Sequence, residues 1–493
     1  MSGIFGVSLL AIVTVEYFRH LPFGRAVEDL LGVAQKSLGV LHSKRISDHW
    51  KERVLLRYAQ LIMGSTLSLT LLLSGLFVLM VLGAFLLDTI FAPKPSTMDT
   101  LVRPIGWLWM TVVASAYYYA VNRYSVVSKV SDYSLGDRVL HRLALGSPLI
   151  GRISFDIDQT VAKLRVGRKE ESPVFISGLA RAGTTILMRT FYETGEFRSL
   201  TYRDMPFVLM PNLWKVLSTA FQKNQIAKER AHGDGIEVNF DSPEAFEEVF
   251  WKTFLADDYL FKDHLSPHAP NTEVIDQFRH FVSHVVLSAD HPEQQRYLSK
   301  NNNNVLRLGS IRKAFPAALI IVPFRDPVQQ AISLLKQHTQ FCVMHKRDKF
   351  SRDYMEWLGH HEFGGTHRPF QFGERWRVTP IQNDPENINY WLALWINTYN
   401  YLLETASKDT LFLCFEELCR EPQKVMSSLF AMANISVDNI SIEGKFRAPS
   451  VMQVEAVNEA LQQQALQIYR DLSVRARELF AVSSVEGKLH FAK

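Results

Sequence analysis

Residues 61–87 run as an uninterrupted apolar stretch without a charge, longer than the roughly 20 residues that cross a bilayer core as a helix. The pattern predicts a membrane-spanning helix there. After a loop bearing Pro93, Lys94 and Pro95 comes a shorter apolar stretch, residues 105–121, flanked by Trp107, Trp109 and Tyr117 to Tyr119. Aromatic side chains gather where helices meet headgroups, so a second crossing is expected. Residues 3–15 are also apolar, but the stretch stops at Glu16 and lacks the basic start and small-residue cleavage pattern of a secretory signal. It is read as an interfacial or packed helix, with a third span as the alternative.

Beyond about residue 150 the pattern changes to short apolar runs alternating with amphipathic stretches, as in a parallel α/β sheet. Strands are expected at 173–177, 318–323 and 410–415, each followed by a helical pattern, at 184–192, 327–338 and 422–433. The expected organisation is a helical membrane-anchoring region over 1–130, a linker over 131–170 and a catalytic α/β domain over 171–493. No internal repeat is visible, and the one low-complexity tract is Asn301 to Asn304.

Charge orients the chain. Arg19, Arg25, Lys36, Lys44, Arg45, Lys51, Arg53 and Arg57 precede the long apolar stretch, whereas the loop after it carries only Lys94 and Arg103. By the positive-inside tendency residues 19–60 are cytoplasmic, and a two-span hairpin returns the large C-terminal part to the same side. The sequons at Asn434 and Asn439 would matter only in the inverted topology. With 493 residues, 47% of them hydrophobic, and a net charge of +4, the chain has ample core, disorder is not expected, and nothing favours nucleic acid as a partner. Its three cysteines, Cys342, Cys414 and Cys419, form no CxxC pair and suit a reducing compartment.

Chemistry concentrates first at PVFISGLARAGTTILMRTF. A buried strand runs through a loop containing Gly178 and Gly183 into a helix near Thr184. A helix N-terminus offers backbone N–H groups and a positive dipole end, and glycines let the backbone close on an anion. The spacing Gly178-x4-Gly183 is that of a P-loop, but Thr184 stands where a nucleoside triphosphatase needs Lys, and the cation has moved to Arg181 inside the loop. A second strand–loop–helix follows in ALIIVPFRDPVQQAISLLKQH. Arg325 ends the strand, Asp326 can cap the helix, Pro327 suits its first turn, and Ser333 lies along it. A cation and a hydroxyl so placed can fork onto a phosphate.

GLARAGTT resembles the 5'-phosphosulfate-binding loop of sulfotransferases that use 3'-phosphoadenosine 5'-phosphosulfate (PAPS), and the RDP…Ser segment is similar to their 3'-phosphate-binding motif. The likeness is to the membrane-anchored, bacterial carbohydrate type, and covers about residues 170–435. It implies a P-loop-like three-layer domain with a central parallel sheet, PAPS as co-substrate, 3'-phosphoadenosine 5'-phosphate (PAP) as product, no metal, and a glycan or lipid-linked acceptor. Gly178, Arg181, Ala182, Gly183, Thr184, Thr185, Arg325 and Ser333 are the implied nucleotide contacts. Lys300 stands ahead of Arg325 as a lysine does in protein-tyrosine and glycan sulfotransferases, where it faces the transferred group. Relatives often have Tyr where this chain has Phe415, so a polar contact to adenine is missing there.

In the same relatives a carboxylate some twenty residues past the loop cation takes the acceptor proton, which points to Asp204; a structural pairing with Arg203 or a helix cap is its other reading. Cytosolic members use His, which makes His232 the second candidate. Arg181 and Lys300 would face the charge that builds during transfer. Glu244, Glu247 and Glu248 are expected on a solvated helix face, with an acceptor-pocket role as the alternative. His360 and His361, being adjacent, point apart, so core or acceptor-site roles suit them, His338 and His345 better than a metal. A P-loop kinase, which would need Mg-ATP, and an inactive membrane scaffold are the competing readings.

Overall fold

In a computed structural model of the full chain, the described residues are 3–21, 23–42, 47–91, 94–124, 135–162, 172–218, 228–229, 237–238, 241–377, 384–435, 442, 444–447 and 457–490. They divide into two compact units, residues 1–143 and 144–493.

The first unit is helical: Gly3–His20, Phe23–His42, Asp48–Phe91, Thr97–Val102 and Pro104–Tyr124. Asp48–Phe91, 44 residues long, contains the predicted span, and among the described residues it alone is long and apolar enough to cross a membrane. Leu71, Phe77 and Phe85 along it are exposed. Gly3–His20 is a packed helix: Leu10 meets Met80 and Ala84, and the Tyr17 hydroxyl donates to the Leu72 carbonyl at 2.7 Å. The second expected span falls in Pro104–Tyr124, a single helix of 21 residues.

Part of the stretch read as linker is helical, Leu135–Gly146 and Pro148–Ala162. Pro148–Ala162 belongs to the second unit's core: Phe155 stacks on His284 with centroids 5.4 Å apart, and buried Asp158 accepts from Asn212 Nδ2 and Leu213 N, both at 2.9 Å. Its buried face carries Gly151, Ser154, Phe155, Asp158 and Ala162, whereas Ile153 and Ile157 are exposed, so the face that packs is not the one an apolar pattern would select.

The second unit is built on strands β1 (Val174–Ile176), β2 (Phe197–Arg198), β3 (Lys228–Glu229), β4 (Glu237–Val238), β5 (Arg296–Lys300), β6 (Leu319–Phe324) and β7 (Leu411–Cys414). Five form a sheet in the order β2-β5-β1-β6-β7, parallel throughout; β3 and β4 pair antiparallel on their own. The three predicted strands are β1, β6 and β7, and their helices are Thr184–Tyr192, Pro327–Arg347 and Pro422–Met432.

Alternation along the strands sends side chains to two cores, because successive residues of a strand face opposite ways. Val174, Ile176, Leu298, Ile321 and Leu413 meet Leu187, Phe191, Met426 and Phe430 on one face. Phe175, Tyr297, Ile320, Val322 and Phe412 meet Phe278, Ala331, Trp395 and Leu472 on the other. Helices therefore cover both faces, giving the expected three layers. Because the strands are parallel, the loops after β1, β5 and β6 all leave from one edge, where ligands of open α/β sheets bind.

Candidate active site

Register sets the site. Ile176, the last residue of β1, is level with Lys300 at the end of β5 and with Ile321 of β6. Three adjacent strands thus bring the Gly178–Gly183 loop, Lys300 and Arg325 to the same edge of the sheet. Lys300 and Arg325 are both 7% exposed; Lys300 is therefore a buried strand-end group, not a solvated loop lysine.

The loop is tight for stated reasons. A Cβ at Gly178 would lie 2.9 Å from the Pro323 carbonyl oxygen, so only glycine lets β1 leave so close to β6. Gly183 has φ 82 and is the N-cap of Thr184–Tyr192, with no side chain capping that helix; a Cβ there would overlap the Phe415 ring. Arg181 itself sits at φ 69, a left-handed conformation that costs a non-glycine residue about 1 kcal/mol. Local strain of this kind persists where the surroundings enforce it. Here Gln330, fully buried, donates from Nε2 to the Ala180 carbonyl at 2.9 Å. Its Oε1 accepts from Trp395 Nε1 at 3.0 Å, and the Tyr399 hydroxyl donates to the Pro323 carbonyl at 2.9 Å. Loop and strand end are thereby pinned to one buried scaffold.

The two cationic motifs meet. Arg181 Nε donates to Ser333 Oγ at 3.0 Å, so the serine is held by the loop cation. Burial lowers the Arg325 guanidinium from its ordinary value; Glu416 opposes that, and the positive charge of Arg181 adds to it. The two guanidiniums are thus electrostatic neighbours, an arrangement that an anion between them would relieve. Arg325 Nε lies 3.9 Å from Glu416 Oε1, its Cζ stands 6.0 Å from the Phe415 ring centroid, and Asp326 caps Pro327–Arg347 by accepting from Gln329 N at 2.9 Å. Thr184, Thr185 and Ala182 are buried around the helix start.

Asp204 lies after β2, buried, in a one-turn capping box. Its Oδ1 accepts from Arg198 Nη2 at 2.6 Å and its Oδ2 from Thr201 N at 2.7 Å. The sequence-based pairing with Arg203 is replaced by Arg198, while Arg203 pairs with Asp241. Tyr202–Asp204 is a turn of 3-10 helix, in which successive side chains point about 120° apart, so the adjacent charges reach different partners. His232 lies outside the described residues.

Glu247 and Glu248 are not a solvated face: they are 2% and 1% exposed, and Glu244 is 8% exposed. Arg307 holds Glu248 in a fork, Nη1 to Oε2 at 2.8 Å and Nη2 to Oε1 at 3.1 Å, and its guanidinium lies 4.8 Å from both the Trp251 and Tyr259 ring centroids. Burial alone would raise the Glu248 carboxyl, but Arg307 brings it below its ordinary value. Glu247 accepts from Trp251, Tyr297 and Asn304. Both helix and partners sit inside the unit, so the polar spacing reads as a buried network only once Arg307 and the asparagines are folded against it.

The tract 301–304 is that network's other half. Asn301 Nδ2 donates to Glu248 Oε2 at 2.8 Å, and Asn302 and Asn303 face a cavity also lined by Leu179 and Ala180 of the phosphate loop, Leu334, His361 and Trp391. The sequence carried no signal for this, because the tract follows β5, whose RYLSK does not read as a strand. His338, His345 and His360 have structural contacts: His338 Nδ1 accepts from Gly364 N at 3.2 Å, His345 Nδ1 from Gly365 N at 3.1 Å, and His360 Nε2 donates to the Ala245 carbonyl at 2.8 Å. Among the described residues no group of three or more His, Cys, Asp or Glu is placed to hold a metal ion.

Residues 173–371 match the model of a family described as "Sulfotransferase family". Among solved structures, the chain is similar to the sulfotransferase STF9 from Mycobacterium avium, at 13% identity and TM-score 0.40, covering 74% of this chain and 89% of that one. It is also similar to the sulfotransferase STF1 from Mycobacterium tuberculosis H37Rv, at 10% identity and TM-score 0.35, covering 73% and 96%. A sulfotransferase from Alicyclobacillus acidocaldarius matches at 15% identity and TM-score 0.29, over 64% and 97%. Among curated proteins none matches this chain.

Proposed function

We propose, from the match of residues 173–371 to the sulfotransferase family model, that this chain transfers a sulfuryl group from PAPS to an acceptor hydroxyl or amine. The observation that carries the reading is the bond between the loop cation Arg181 and Ser333 of the helix that follows Arg325. One phosphorylated adenosine would lie across them, its 5'-phosphosulfate on the Gly178–Gly183 loop with Ala182, Thr184 and Thr185, and its 3'-phosphate on Arg325 and Ser333.

Transfer is in line: the acceptor oxygen or nitrogen attacks sulfur, the bond from sulfur to the phosphate oxygen breaks, and the acceptor proton passes to a base. Negative charge grows on the leaving phosphate and on the sulfuryl oxygens, where Arg181, Lys300 and the amides at the Thr184–Tyr192 helix start act as positioned donors. No step calls for a metal. Asp204 is the proposed base, after exchanging its contact with Arg198 for the acceptor; His232 is the second candidate. Anchoring through the apolar helix suggests a glycan or lipid-linked acceptor.

Calorimetry with the full chain in detergent tests the nucleotide. PAP is expected to bind without Mg and far more tightly than adenosine 5'-monophosphate or ATP. Preference for Mg-ATP would instead make the chain a kinase, and binding of none would make it a scaffold.

A further inference from the structure

Glu416 lies in the first turn of the helix Phe415–Arg420, just past β7 and outside the residues that match the family model. Both of its carboxylate oxygens have donors. Oε1 accepts from Asp326 N at 2.9 Å, and Oε2 accepts from the Tyr469 hydroxyl at 3.1 Å, with the Cys414 thiol donating to the same oxygen at 3.5 Å. Tyr469 belongs to the helix Glu459–His490, and Cys414 ends β7. Three separate parts of the chain therefore hold one carboxylate in place.

That place is beside the residue read as the 3'-phosphate ligand. Oε1 lies 3.9 Å from Arg325 Nε, too long for a hydrogen bond but close enough for strong coupling of charge. The Arg325 side chain is 9% exposed and that of Glu416 33%, so water screens the pair only in part. Arg181 puts a second positive charge nearby, and Glu416 offsets part of the sum. A phosphate arriving at Arg325 would meet this negative charge, which cannot turn away without giving up its donors.

We propose that Glu416 is a built-in competitor of the 3'-phosphate at Arg325: its anchored carboxylate weakens the hold of the site on a 3'-phosphorylated nucleotide and so speeds departure of the product. The identity of the nucleotide rests on the sulfotransferase reading above; the effect of the carboxylate on an anion at Arg325 does not. PAP keeps the 3'-phosphate after transfer, so a site built to grip PAPS at both ends also grips its product. Release of product limits turnover in many enzymes. Repulsion from Glu416 acts on substrate and product alike, exchanging some affinity for faster exit.

Glu416→Gln keeps an oxygen for Asp326 N and removes the charge. Calorimetry of the full chain in detergent is expected to show PAP bound about tenfold more tightly in this variant, with adenosine 5'-phosphosulfate, which lacks the 3'-phosphate, changed less than about twofold. Dissociation of PAP, followed by stopped flow, should slow in proportion. At about 1 M salt, where charges are screened beyond about 3 Å, the PAP gain should shrink to about twofold, whereas a gain from altered packing would persist. Glu416→Ala should show the same gain and serves should the Gln variant not fold. Unchanged or weaker PAP binding, an equal gain for both nucleotides, or a gain indifferent to salt would overturn the proposal. Should PAP not bind the wild-type chain, the nucleotide reading fails and pyrophosphate becomes the probe: tighter binding in Glu416→Gln would uphold the role of the carboxylate, and unchanged binding would overturn it.

Discussion

Arg325 and Asp204 are both buried charges, yet their surroundings assign them different tests. Arg325 has one carboxylate near it, at 3.9 Å, and a second guanidinium as neighbour. Arg325→Ala should therefore cost PAP about 2–3 kcal/mol, the value of a charge-assisted contact, with adenosine 5'-phosphosulfate, which lacks the 3'-phosphate, affected little. Equal losses for the two nucleotides in calorimetry would detach Arg325 from the 3'-phosphate. Asp204 already has partners on both oxygens, so its proposed role as base must be separated from its role as cap. Asp204→Asn is expected to keep PAP affinity and lower turnover about a hundredfold or more, the range of general-base catalysis. Retained turnover with a lowered melting temperature would leave it a cap and pass the base to His232 or elsewhere. The cap was among the readings the sequence offered for Asp204, whereas its ion-pair partner was not: Arg203 stood beside it, and Arg198 holds it.

Among elements, the helix Glu248–Tyr259 and the turn after β5 form a unit through Glu248 and Arg307. The pair is fully enclosed, with side-chain exposures of 1% and 0%. Removing one partner of such a pair strands the other's charge, so Glu248→Ala should lower unfolding free energy by about 3–5 kcal/mol in urea titration. The double change Glu248→Gln with Arg307→Met should recover much of that; no recovery would mean the helix is held by something else. Tracing sequence to element was easiest where the signal is local. The helix at 184–192 and strands at 174–176, 319–324 and 411–414 follow from apolar runs and their punctuation. β5 was missed, since RYLSK mixes polar and apolar residues and is a strand because β1 and β2 pair with it on either side.

At the scale of the whole molecule, two properties are testable. Burial holds His268 at about 3, His284 at about 4 and His367 at about 4, against about 6.5 unfolded. All three are neutral when folded, so their stability is intact above about pH 6.5 and declines as pH falls toward 4, on the order of 2 kcal/mol for each group. Melting temperature followed from pH 7 to 4 should drop steadily; a flat profile would mean these rings gain protons without unfolding the chain. The exposed apolar helix makes the other case. Leu71→Arg with Phe77→Arg adds about 2.5–3.5 kcal/mol per charge to insertion and should shift the protein out of carbonate-resistant membranes, whereas unchanged extraction would argue against a span. From sequence alone came the long apolar helix, the α/β alternation, and the two strand–loop–helix segments that carry Arg181, Arg325 and Ser333, because apolar runs and glycine-bearing turns act over a few residues. Only the folded chain decided that Ser333 bonds to Arg181, that Glu247 and Glu248 are buried, and that Asn302, Asn303 and His361 share a cavity. Those contacts join residues far apart in sequence, and their partners are chosen by strand order and register.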